Sequence, residues 1–200
     1  SNSGTFTAST STVTYTGNNL LGNTTVAAVT YYNLTTNNAS ETYALGGDTT
    51  VSNVLTITAG TLDASSRTLT LSGSTGPPFS NSGTLTASTS TVAYTGNFLL
   101  GNTTIAAVTY SSLTLNNSSE TFVLAADTTV SANLTITAGT LDVVSGSNFG
   151  LTLGGNYSNS GTLTPRSGTI TFNKSSGTQT LDPDADANGS GGNFNNLTHS

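Results

Sequence analysis

Asp182, Asp184, Asp186 and Asn188 alternate in the stretch LDPDADANGSGGN at 181–193. Oxygens at every second residue can gather round a hard cation such as calcium. A helix-loop-helix calcium loop would want Gly at its sixth position and Glu at its twelfth, where Ala187 and Asn193 stand here. The stretch reads equally as a solvated acidic loop built from Asx turns. A second set of acids, Glu41, Asp48 and Asp63, recurs as Glu120, Asp127 and Asp142. Such acids could stack into ion sites or pair for glycoside hydrolysis, or they could be turn acids copied by duplication. No basic residue or histidine recurs with them. His199 is the sole histidine and there is no Cys, so neither a zinc site nor a Ser-His-Asp triad can be assembled. No Ser stands in a G-x-S-x-G elbow. The expectation is a protein without catalytic residues, and any cofactor would be calcium.

Two further residue patterns bear on the surface. Of the N-x-S/T sequons, those at Asn23, Asn33, Asn38, Asn102, Asn117 and Asn133 are candidates for glycosylation if the chain is exported. Thr-x-Thr pairs with an apolar centre recur at Thr5/Thr7, Thr56/Thr58, Thr84/Thr86, Thr135/Thr137 and Thr162/Thr164. On a flat face they would form a hydroxyl grid able to meet a glycan or ice, although plain strand propensity also favours Thr on solvent-facing positions.

The elements that must carry these residues are strands. VLTITAG (54–60), NLTITAG (133–139) and TLTLSG (68–73) alternate apolar and polar residues with period two, which sends Leu55 and Ile57, or Leu134 and Ile136, to one face. Gly, Asn, Asp and Ser separate such runs every few residues, and no convincing helical period appears apart from a weak one in LLGNTTVAAV at 20–29, which defines no clear element. Charged residues make up 6% of the chain, against about 25% in typical soluble domains. Ser and Thr fill 71 of 200 positions. The net charge is −6 with three basic residues, too few to neutralise a run of phosphates, so nucleic acid is not an expected partner. No apolar run is long enough for a membrane-spanning helix.

The chain repeats itself. Residues 1–63 align with 80–142 without a gap, and fewer than one position in four differs. SNSGTLT at 80–86 returns at 158–164, so the repeats run 1–79, 80–157 and a partial 158–200. Inside them a shorter unit, GTLTASTSTVAYTG at 83–96, has copies starting at Gly4, Gly60 and Gly161 and a looser one at Gly139. Starts 23 residues apart (Gly60, Gly83) and 22 apart (Gly139, Gly161) match one coil of a β-solenoid. The expected fold is all-β: a continuous parallel solenoid of 79-residue repeats, each about four coils. A chain of immunoglobulin-like sandwiches is the alternative, since the repeat length suits one.

These strand-and-turn runs resemble the repeats of very large secreted bacterial surface proteins, the filamentous-haemagglutinin-like and autotransporter adhesins. The resemblance covers essentially the whole chain. It implies a long parallel β-helix projecting from a cell, extracellular and structural or adhesive, with no catalytic residues to transfer. The expected partners are further copies, joined end to end or by strand addition into a filament, and surface glycans. A glycan- or ice-binding module using the Thr and Asn faces is the alternative function.

Overall fold

The structure, a computed structural model, describes residues 4–144, 146–182 and 194–200. Among these residues every regular element is a strand, nineteen in all, and every strand pair is parallel. The two longest neighbours, Thr30–Leu45 and Thr49–Asp63, show the construction of one coil. Register shifts break their pairing into three straight sides, with 30–31, 33–36 and 42–44 lying against 50–51, 54–57 and 61–63. Each coil therefore has three sides, and these sides stack on those one coil earlier. The chain is a β-solenoid, as the alternation and the repeat predicted. Tandem sandwiches are excluded, because those pair their strands antiparallel around separate cores, whereas one hydrophobic cluster here runs from Val26 to Phe172.

Register shows how the repeat maps onto coils. Thr12–Tyr15 heads a column in which Thr14, Thr35, Thr56 and Ser80 stand above one another. Its twin in the second repeat, Thr91–Tyr94, does not rejoin that column. It stacks on 68–71, within the column Thr30, Thr50, Thr70, Ala93, Thr114, Thr135, Ser158 and Asp182. Eleven sides separate the twins. With three sides per coil, one repeat is three coils and two-thirds, which sharpens the expected "about four". Each repeat thus begins one face short of a full turn round the shaft, offset by about 120°, and rises about 18 Å at the usual strand spacing.

The inward side chains explain why the coils stack. Leu69, Val92, Leu113, Leu134 and Tyr157 face one another coil by coil, and all are buried. Each buried side chain of this size contributes about 1.5–3 kcal/mol, and its packing partners are the coils directly above and below. Charge is sparse for a related reason: like charges in such columns would repel at about 4.8 Å.

The shorter sequence unit marks two successive corners. Its glycines sit where coils approach closely: a Cβ on Gly83 would lie 2.6 Å from the carbonyl oxygen of Gly60, and one on Gly161 would lie 2.4 Å from that of Gly139. Five residues after each of these glycines, Ser65, Ser88, Val144 and Arg166 adopt φ of 53°, 47°, 67° and 51°. This left-handed residue turns the chain from one face to the next.

Among the described residues four buried hydroxyls have no hydrogen-bond partner, those of Thr36, Ser90, Thr103 and Tyr157. Phe79 and Leu115 occupy the places of Tyr157 and Thr36 in other repeats. Tyr157→Phe and Thr36→Val are therefore expected to stabilise the chain by about 1 kcal/mol each, because an unpaired buried hydroxyl carries its desolvation cost uncompensated. Thermal melts test this; a lowered midpoint in both variants contradicts it.

Candidate functional surface

The six recurring acids are brought to corners, and there they hold backbone. The buried carboxylate of Glu41 accepts from Asn19 N at 2.9 Å and Thr24 N at 2.7 Å. Glu120, also buried, accepts from Phe98 N and Thr103 N, both at 2.7 Å. One carboxylate thus closes both ends of a loop belonging to the preceding coil, and these bonds, Asn19 first, hold Glu41 below its ordinary carboxyl range. Asp48 accepts from Thr68 N and Asp127 from Gly150 N, each at 2.8 Å and one coil on. Asp63 takes Ser65 N at 2.7 Å and Ser88 Oγ at 3.1 Å. Asp142 takes Val144 N at 2.8 Å and a two-pronged contact from Arg166, Nε at 3.0 Å and Nη2 at 2.6 Å. The Arg166 hydrogen bonds are the main reason Asp142 titrates low. Turn acids describe their geometry, and no two of them are joined as an acid–base pair by any of these bonds.

Asp182 lies on the exposed strand Leu181–Asp182, stacked on Tyr157–Asn159. Asp184, Asp186 and Asn188 lie outside the described residues. Among the described residues no three His, Cys, Asp or Glu side chains converge as a metal site. His199 is exposed on Asn196–His199, beside Phe172 in register. It borders a cavity of about 190 Å³ at one end of the stack, with Phe172, Lys174, Gln179 and Leu197. A cavity of about 120 Å³ at the other end is lined by Phe6, Val13, Tyr15, Ala27, Val29 and Tyr31. Both are lined in part by inward side chains of the first and last coils described.

The sequon asparagines divide by what their amide nitrogens do. Asn33 Nδ2 donates to Thr12 Oγ1 at 3.1 Å, Asn38 Nδ2 to Thr16 O at 3.3 Å, and Asn117 Nδ2 to Thr95 O at 3.1 Å. A glycan on those nitrogens would break bonds between coils. Asn133 accepts at Oδ1 from Asn156 N at 2.9 Å, and Asn156 in turn from Thr180 N at 2.9 Å, forming an amide column along a corner. Asn23 and Asn102 are exposed on loops.

The regular surface feature is one that Thr-x-Thr counting missed. Single hydroxyls align from coil to coil, as in Thr109, Thr129, Thr152, Thr171 and Thr198 on one face. The neighbouring face carries the column from Thr30 to Ser158, broken only at Ala93. Apolar-hydroxyl-apolar triplets compared at intervals of 20–23 residues would have found much of the second column, whereas the first column's spacing runs from 19 to 27.

Where strand pairing lapses, a tyrosine clasp takes over. Among the described residues no pairing joins Phe79–Asn81 to Thr103–Ile105. Next to that gap Ala106 N donates to Tyr94 Oη at 3.1 Å, Tyr94 and Tyr110 share a 2.9 Å bond, and Tyr110 Oη donates to Ala106 O at 2.8 Å. The first repeat has the same circuit in Tyr15, Tyr31 and Ala27. Among the described residues no helix is long and apolar enough to cross a membrane. No family model matches the chain, and neither a curated protein nor a solved structure does.

Proposed function

We propose that this chain is shaft material of an extracellular filament or cell-surface fibre. The observation that carries the reading is the stacking of three-sided coils through the repeats, with one column of paired sides running from Thr30 to Asp182 and one hydrophobic cluster inside it. Each coil is buried by its neighbours, so stability is local and length adds without redesign. The outside is hydroxyl and amide rather than charge, and the polar residues at the corners bind backbone instead of converging on a substrate. Low charge, abundant Ser and Thr, and the resemblance to secreted surface proteins support an extracellular place. Adhesion and self-assembly through open strand edges belong to the same proposal.

Electron microscopy of chains carrying two, four and six repeats tests it. Rods that lengthen by about 18 Å per repeat support the shaft, and beads of fixed diameter overturn it. The hydroxyl columns favour a second reading, binding of a glycan or of ice along one face. Retention on a glycan array or thermal hysteresis would support that reading, and silence in both assays removes it.

A further inference from the structure

Two loops, 18–23 and 97–102, leave the shaft with adjacent leucines at their tips. Leu20 and Leu21 are 88% and 98% exposed, and Leu99 and Leu100 are 81% and 92% exposed. Isolated exposed leucines need no explanation, but adjacent pairs repeated on matching loops form apolar points on an otherwise hydroxyl-covered rod. The loops are held, not slack. Gly22 N bonds Asn19 O at 3.1 Å and Gly101 N bonds Phe98 O at 3.0 Å. Buried Glu41 and Glu120 close the two loop ends. Burying a carboxylate is costly unless it is fully bonded, and here that carboxylate fixes the direction in which the leucines point.

The eleven-side repeat decides what can meet them. The second loop leaves the shaft from a different corner, turned by about 120° and raised about 18 Å from the first. A flat lipid surface would engage one loop and leave the other facing away. A net charge of −6 with three basic residues also disfavours an anionic bilayer. Shafts lying side by side can meet loops on every corner. We propose that the Leu20–Leu21 and Leu99–Leu100 loops are lateral contacts between copies of this chain, leucine pair against leucine pair. The loops carry no charge of their own, so like-charged shafts meet where repulsion is least. One loop against another buries on the order of a few hundred Å², below the roughly 1,200 Å² of a stable interface. Lateral association therefore depends on several loops engaging at once and strengthens with their number. The third repeat has Gly177 and Thr178 at the matching places, so the contact belongs to the first two.

The inference rests on the shaft reading, and sedimentation velocity separates the two. The full chain is compared with the variant Leu20→Asn/Leu21→Asn/Leu99→Asn/Leu100→Asn, whose changes lie outside the core. The wild type is expected to associate with rising concentration, and the fourfold variant about a hundredfold more weakly with unchanged melting. Changing one loop alone is expected to give an intermediate loss. Association undiminished in the variant would be end to end and overturns the lateral contact, as does a wild type that stays monomeric. Binding to phosphatidylcholine vesicles that the variant loses, with a monomeric wild type, assigns the loops to lipid and overturns it too. A compact frictional ratio for the monomer would instead sink the shaft itself.

Discussion

Gly139→Val is expected to unfold the coils around it, lowering stability by several kcal/mol. Gly139 has φ +92°, and a Cβ there would stand 2.3 Å from Asn117 O, 2.8 Å from Glu120 O and 3.2 Å from the Phe122 ring. The left-handed conformation alone costs a residue with a side chain about 1–2 kcal/mol. The clash adds more, because its targets are carbonyls of the coil beneath and cannot rotate away. Gly177, with φ +74° and nothing within 4 Å of its Cβ position, isolates the conformational cost. Gly177→Ala should lose about 1–2 kcal/mol and Gly139→Ala clearly more. Equal losses in urea unfolding would refute the role given to coil contact. Hydrogen exchange should place the damage in the coils next to Gly139, since each coil leans only on its neighbours.

Alkali is the second large perturbation. Burial pushes Tyr94 up to about 12 and Tyr110 well above its ordinary value. Both are needed protonated, one to bridge to its partner and the other to donate to Ala106 O. A raised folded pKa means the contribution is whole below the unfolded value of about 10 and is lost as pH rises from there through the folded value. Stability should hold to about pH 9, then fall steeply. Phenolate absorbance from these tyrosines should rise together with loss of β-sheet circular dichroism. Phenolates forming near pH 10 in a chain with unchanged circular dichroism would contradict the clasp. Tyr94→Phe strands Ala106 N and should cost about 1–3 kcal/mol at neutral pH.

The candidate residues were only partly legible in sequence. Glu41 and Glu120 stood out because they recur, yet their task is to hold amides 17 and 22 residues earlier, and nothing local announces such partners. The clasp was equally hidden. Nothing in the sequence pairs Tyr94 with Tyr110, and the two hydroxyls meet only because a corner folds them together. Leu20 and Leu21 sat in a run that suggested no clear element, and exposure is a property of the packed coils, not of the run.

The alternation of residues such as Leu55, Thr56 and Ile57 was sufficient by itself to determine strands and their inward face, because successive side chains in a strand point to opposite sides. The near-identity of 1–63 and 80–142 was likewise sufficient to determine a repeating stack. What only the tertiary structure decided was phase. Corners differ in length, so 79 residues do not announce eleven sides, and the bonds that fix register join residues about twenty apart with no local trace. Whether Thr91–Tyr94 lies above Thr12–Tyr15 or one face round is settled by that register alone. With it are settled the straight hydroxyl columns and the turning of the leucine loops about the shaft.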